Sequence, residues 1–248
     1  MKPHSRRRWI AAAGGFAGLA AASKIAGRYG LIPPDSGGLY GPGATLTYAA
    51  HKLLAGGAMA REFSRDQIST APFANGQPLD TDEFKRHQAA NFETWRLSVD
   101  GLVSRPVHLT LGDLRAFPAR SHITQLVCEE GWSFIAEWTG AALGDVLRHA
   151  GLLPQAKYIV YSSLDPNWWD SVDIDEAGHP QTLLTYGMNG GVLPVGHGGP
   201  LRLRVPRQLG YKSVKYVTRL TATDDIAKFG KGLGSAAPEF GYAWYAGI

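Results

Sequence analysis

The chain has 248 residues, 44% hydrophobic and 19% charged, enough to bury a substantial core and too apolar for long disorder. Its formal charge of +4 matches Lys2, Arg6, Arg7 and Arg8; the remainder is neutral overall, which gives no support for nucleic-acid binding. Cys128 is the only cysteine, which excludes an internal disulfide and any zinc site built on paired cysteines.

Residues 1–22 read as an export signal. Arg6-Arg7-Arg8 precedes an apolar run of 13 residues, Ile10 to Ala22, and Ala20-Ala21-Ala22-Ser23 fits a small-residue cleavage site. That run is too short for a bilayer of about 30 Å at about 1.5 Å per residue. Adjacent arginines before Trp9 and Ile10 resemble the bacterial twin-arginine signal, which implies a periplasmic protein exported with its cofactor already inserted. A persisting signal would add weak membrane association.

Residues 23–80 carry many breakers, among them Pro33-Pro34, Gly41-Pro42-Gly43 and Asn75-Gly76, and predict a loop-rich lead-in with one short helix over Thr47–Leu54. Arg96–Asp100 alternates and stops at Gly101, as a strand does. Thr110 and Asp113 predict a capped helical turn before Pro118. Thr124–Cys128 is β-prone, and Thr139–His149 is expected to be a helix closed by Gly151. Lys157–Ser162, Ser171–Ile174, Leu201–Val205 and Val214–Thr221 complete the strand set. Short strands, few helices and long connections indicate an α+β fold with mixed sheets. The expected organisation is signal 1–22, lead-in 23–80, main domain 81–230 and tail 231–248. Neither G-x-G-x-x-G, Walker, H-E-x-x-H nor G-x-S-x-G patterns occur in a fitting context.

Cys128 ends an apolar strand and precedes Glu129-Glu130-Gly131-Trp132. Most free cysteines are inert core thiols. In an exported protein a lone thiol is a liability unless it is ligated or buried, and a thiolate suits a soft metal centre. A second group spans Gly196-His197-Gly198-Gly199-Pro200-Leu201-Arg202-Leu203-Arg204 and Gly210-Tyr211-Lys212-Ser213-Val214-Lys215. Its glycines allow close backbone approach, while Arg202 as a fork and Lys215 as a point charge suit a phosphate.

Together with Trp138-x-Gly140-x-x-Leu143 and Phe84-Lys85-Arg86-His87-Gln88, these motifs resemble the sulfite oxidase family of molybdopterin enzymes over roughly residues 80–225. The resemblance implies a single sulfite-oxidase-type molybdopterin-binding domain. It implies one molybdenum–molybdopterin per chain, with Cys128 as metal ligand and catalytic residue. It carries pterin contacts to Phe84, Lys85, Arg86, His87, Gln88, His197, Arg202, Ser213, Val214 and Lys215. Asp165 is the best match for a further contact after the strand Tyr158–Ser162, with Ser163 the alternative, and Asn91 could replace the polar contact of the first segment.

The chain departs from sulfite-oxidising members after Cys128, where two acids stand and no arginine follows before Arg148. Two carboxylates near the metal would repel a dianion unless both point away. The likeness is therefore to the short periplasmic branch typified by the protein-methionine-sulfoxide reductase catalytic subunit. The expected activity is two-electron oxygen-atom transfer that reduces a sulfoxide-like or N-oxide substrate, free or protein-bound. Electrons come from a partner such as a membrane haem protein or small cytochrome, and the enzyme is expected to be monomeric. Competing readings are a sulfite oxidase, a metal-free exported binding protein, and a thiol enzyme pairing Cys128 with His197. Trp132, Trp138, Trp168 and Trp169 either line a funnel to the metal or pack; Asp170, Asp173, Asp175 and Glu176 read as a solvated acidic turn.

Overall fold

In the computed structural model, residues 26–27, 30–38 and 41–248 are described; the signal segment lies outside them. They form two compact units that divide between Gly56 and Gly57. In the first, helix α1 (Gly41–Ala55) extends the expected Thr47–Leu54 helix by six residues at its start, and the Thr45 hydroxyl donates to the Gly41 carbonyl at 2.7 Å. No helix among the described residues is long and apolar enough to cross a membrane.

The second unit opens with a strap from Gly57 to about Asp80 that is almost free of regular structure. It is held down by backbone pairing to the hairpin that follows, with Phe63 N–H donating to Ile123 O at 2.9 Å and Ser69 N–H to Ile135 O at 3.0 Å. Helix α2 (Asp82–Ala89) comes next, capped by Thr81, whose hydroxyl accepts from Phe84 N–H. Its one buried side chain is Phe84; the rest of the helix faces outward or is half-buried.

Two five-stranded sheets follow. The first has the order β2 (Val107–Thr110), β1 (Arg96–Gly101), β10 (Val217–Thr223), β5 (Tyr158–Ser163), β6 (Trp169–Asp173). Only β1 and β10 run parallel in it, and β1 buries Leu97 and Val99 by the alternation its sequence shows. The second has β3 (Ala119–Val127), β4 (Ser133–Ala142), β7 (Leu183–Met188) and β8 (Gly191–Val192), with β9 (Arg202–Arg204) also paired to β7. Helices α3 (Leu111–Ala116), α4 (Leu143–His149), α5 (Ile174–Gly178) and α6 (Ala236–Glu239) are short. The α+β class is as expected. The main core gathers Trp95, Leu97, Leu114, Leu143, Leu147 and Leu220, each at most 2% exposed. A smaller cluster of Leu126, Phe134, Ala136, Trp138, Met188 and Leu193 lies under β3 and β4.

Three expectations are corrected. Thr139–Ala142 is not helical but the end of β4, paired to β3 on one side and β7 on the other; helix begins only at Leu143. A Cβ at Gly140 would stand 2.2 Å from the Leu184 carbonyl, so this position is fitted to close strand pairing and tertiary ladders override local propensity. The strand expected from Val214 starts at Val217, because Ser213 to Tyr216 form an irregular turn with Tyr216 at φ 56°. The acidic turn is not solvated either. Asp170, Asp173 and Glu176 are 2%, 8% and 5% exposed, and of the four only Asp175 faces solvent. Asp170 pairs with buried Lys212, and Asp173 caps α5 by accepting from Glu176 N–H.

Candidate active site

Cys128 is the residue immediately after β3. Its N–H donates to Trp132 O at 2.9 Å and its carbonyl accepts from Gly131 N–H at 3.1 Å, closing a tight loop that returns the chain into β4. Gly131 takes φ 91° there, a conformation costly for other residues. The turn Gly210–Lys212 packs against this loop. A Cβ at Gly210 would lie 3.1 Å from Leu126 and 3.5 Å from the Cα of Cys128, so the small residue lets the two segments approach.

A cavity of about 270 Å³ opens at this junction. Cys128, Asp165, Arg202, Ser213, Val214 and Lys215, six of the residues singled out in the sequence, line it. Glu129, Trp132 and Trp168 line it too, as do Asn75 to Gln77 of the strap. Strand β9 organises the cationic side. Arg202 donates from Nε to Ser213 O at 2.9 Å and from Nη1 to His197 O at 3.0 Å. Lys215 donates from Nζ to Gly196 O at 2.6 Å and to Asn75 O at 2.7 Å.

The electrostatics are lopsided. Arg202 and Arg204 are 6% and 1% exposed and Lys215 is half-buried, yet none has a carboxylate partner among the described residues. Burial pulls Arg202 down to about 10, Arg204 to about 9 and Lys215 to about 8, and the Arg202 charge adds to the last two. His197 falls to about 4, through burial first and then the Arg202 and Lys215 charges, so its ring is neutral at pH 7. Buried cations without counter-charges are costly, and an anion bound beside them would offset that cost. On the same cavity the Cys128 thiol is pushed up to about 12 by burial and by the Glu129 and Glu130 charges. Sγ donates to Glu129 Oε2 at 3.3 Å, so that carboxylate does not point away from the site. This donor set fits a group that is anionic at one end and carries a thiolate-binding metal at the other.

The remaining sequence candidates lie elsewhere. Lys85, Arg86, Gln88 and Asn91 are exposed, with Lys85 paired to Asp80 at 2.7 Å, and none lines the cavity. His87 bonds Thr94 Oγ1 at 2.7 Å, while Phe84 packs edge-on against Tyr216 with 5.1 Å between centroids. Ser163 accepts from Asp165 N–H at 3.0 Å and shapes the turn that presents Asp165. His197 stands behind the wall, its ring against Phe134 at 5.5 Å. Trp138 is wholly buried beneath both arginines, 5.6 Å from Arg202 and 5.3 Å from Arg204, so it packs; Trp132 and Trp168 face the cavity. The sequence motifs gave Arg204 no place among the pterin contacts, and gave strap residues Asn75–Gln77 no role. The i, i+2 spacing of Arg202 and Arg204 on a strand was the available signal for the first; the strap has no periodicity to show.

Residues 84–228 match the family described as the oxidoreductase molybdopterin binding domain, more than half of the chain and every cavity-lining residue outside the strap. The chain belongs to that family. Over 182 residues it is 36% identical to the "Putative protein-methionine-sulfoxide reductase subunit YedZ1" of Azospira oryzae, covering 73% of this chain and 66% of that protein. It is 37% identical over 155 residues to the protein-methionine-sulfoxide reductase catalytic subunit MsrP of Xanthomonas campestris pv. campestris, covering 56% and 48%. The chain thus spans from about half to just under two thirds of these relatives' lengths. The crystal structure of the sulfane dehydrogenase SoxCD from Paracoccus pantotrophus superposes with a TM-score of 0.51 at 27% identity, over 54% of this chain and 39% of that one. The molybdopterin-binding fold inferred from the motifs is therefore the fold of this chain.

Proposed function

We propose that this chain is an exported molybdenum–pterin oxidoreductase that reduces a sulfoxide-like or N-oxide substrate by two-electron oxygen-atom transfer. The observation that carries the reading is the junction of the Cys128 thiol with uncompensated Arg202 and Lys215 on one cavity. Two relatives bearing sulfoxide-reductase names support the substrate class.

Cys128 would ligate the metal as a thiolate, giving up the proton that burial and the Glu129 and Glu130 charges otherwise hold on it. Arg202, Lys215 and the Ser213 hydroxyl would hold the pterin's phosphate, with Val214 packing beside them. Asp165, with Ser163 behind it, would face the heteroatoms of the ring, while a contact from His197, which stands behind the wall, rests on the resemblance alone. Contacts from Phe84–Gln88 and Asn91 rest on the resemblance alone. When bound, the metal supplies the two-electron couple at which the substrate oxygen is exchanged. The balance is sulfoxide plus two protons and two electrons giving sulfide and water, the electrons coming from an external partner such as a membrane haem protein or small cytochrome.

Charge chooses among substrates. Glu129 and Glu130 reach the Cys128 sulfur at 3.3 and 3.9 Å, so an incoming dianion meets two carboxylates while a neutral sulfoxide meets none of its own sign. Arginines elsewhere do not reverse this. Arg204 is bound into the wall, Arg207 faces Glu176 at 3.9 Å, and Arg86 lies on the exposed side of α2. Arg6-Arg7-Arg8 supports periplasmic placement.

The test is full-length protein purified from a host that makes the pterin. About one molybdenum per chain by elemental analysis is expected, as a single thiolate site allows. With a reduced dye as donor, methionine sulfoxide should be turned over and sulfite oxidation should be negligible. Efficient sulfite oxidation without sulfoxide reduction would reverse the substrate assignment; metal-free protein would return the chain to a binding role.

A further inference from the structure

Arg204 lies outside the set of residues that line the cavity, yet at 1% exposed it is as deeply buried as Lys212, and unlike Lys212 it has no carboxylate partner among the described residues. An arginine taken from water without a carboxylate is costly, so its contacts deserve an account. Nη2 donates to the Gln125 carbonyl of β3 at 2.6 Å and to Thr124 Oγ1 at 3.4 Å. Nη1 donates to Ser213 Oγ at 3.3 Å, and Nε has no partner. Arg202, two residues earlier on the same face of β9, grips the carbonyl of the same Ser213 at 2.9 Å. One arginine therefore fixes the backbone of Ser213 and the other its side chain.

The side-chain contact decides a polarity. A serine hydroxyl has one proton and two acceptor lone pairs. Ser213 Oγ accepts from Arg204 Nη1 at 3.3 Å and from Val205 N–H at 3.1 Å, which engages both lone pairs. Ser213 is 2% exposed, and the space it borders is the cavity. That leaves its proton as what the hydroxyl has to offer a ligand in that space.

We propose that Arg204 is a positioning residue that commits the Ser213 hydroxyl to donating, so that the phosphate end of the cavity offers donors only. The inference rests on the cofactor reading above. A fully ionised phosphate is an acceptor of hydrogen bonds and donates none, so a hydroxyl free to turn would spend part of its time presenting a lone pair to it. With Arg204 in place, Ser213 joins Arg202 and Lys215 as a donor of fixed sense. Arg204 supplies this without touching the ligand.

A purely structural strut from β9 to Gln125 would look the same in a single variant, so the test is a cycle. Arg204→Lys retains one cationic donor for the Gln125 carbonyl but cannot span to Ser213 as well; Ser213→Ala removes the hydroxyl. Wild type, both single variants and the pair are purified loaded from a pterin-producing host, and the half-time of pterin release is followed by the fluorescence of the freed pterin. Arg204→Lys is expected to speed release roughly threefold to tenfold, the worth of one hydrogen bond, and to change nothing further when Ser213 is already alanine. Equal acceleration in both backgrounds would show a strut and overturn the inference, as would no acceleration in either. Wild-type protein that carries no pterin would remove the inference together with the cofactor reading; loaded wild type with additive effects removes the inference alone.

Discussion

Lys212 Nζ and Asp170 Oδ1 meet at 2.5 Å inside the second unit, their side chains 1% and 2% exposed. Lys212 ends the turn that carries the chain from Gly210 into Ser213, and Asp170 lies on β6, so the pair ties the cationic wall of the cavity to the first sheet. Nζ also donates to Ser171 O at 2.8 Å and stands 5.0 Å from the Trp244 ring, whose Nε1 donates to Ser171 Oγ at 2.8 Å. Lys212→Met leaves a buried carboxylate without its cation and is expected to cost about 3–5 kcal/mol. Urea unfolding measures it. Pairing the change with Asp170→Asn should recover part of the loss; a mild single variant would show that the carboxyl is already neutral.

Cys128→Ser replaces a soft donor with a hard, weakly acidic hydroxyl. The variant is expected to fold, lose the thiolate-to-metal absorption and lose turnover. Visible spectra beside metal and pterin contents give the answer, and an unchanged spectrum would remove Cys128 from the metal.

Arg202→Ala and Lys215→Ala should each lower the pterin content of purified protein. A charge-assisted contact is worth about 1.5–3 kcal/mol, roughly tenfold or more in affinity. Because an anion bound only by the folded state stabilises it, wild type should melt higher loaded than empty, and the gap should shrink in both variants. Calorimetry of matched preparations tests this.

Trp132 is half-buried on the cavity wall, held by donation from Nε1 to Glu130 Oε2 at 2.9 Å and stacked on Phe134 at 6.1 Å. Trp132→Ala should weaken substrate capture, raising KM about tenfold, a loss of about 1.4 kcal/mol of binding. Pterin content should hold. A fall in pterin content instead would make this ring part of the cofactor seat.

Glu176 sets a pH dependence. Burial raises its carboxyl from 4.5 to about 7, against the pull of Arg207. Between those values the folded chain keeps a proton the unfolded chain has released, so this group's contribution to stability falls as pH rises from 4.5 to about 7. Glu176→Gln removes that slope. Compared with wild type it should be level near pH 4 and more stable above pH 7, by on the order of 1–3 kcal/mol. Denaturant midpoints across the range, taken as the difference between the two proteins, separate Glu176 from His197.

The chain order of chemistry was legible from sequence alone. Cys128 after a β-prone run, the Gly196–Arg204 segment and the Gly210–Lys215 segment announce themselves by residue type and spacing, and those features led to the family. The capping of α3 by Thr110 and Asp113 was legible too, because a cap is a contact three residues long: Asp113 N–H donates to Thr110 Oγ1 at 3.0 Å. Tertiary structure decided whatever depends on a distant partner. Thr139–Ala142 is strand because β3 and β7 flank it, and β1 pairs in parallel with β10 across more than a hundred residues. Acidity in the Asp170–Glu176 stretch looked like solvent exposure until Lys212 and Arg207 came to meet it from far along the chain. Likewise nothing local distinguishes Arg202, which lines the cavity, from Arg204, which donates to Ser213 from outside that lining. Spacing fixes which face of a strand a side chain leaves from, and only packing fixes what it finds there.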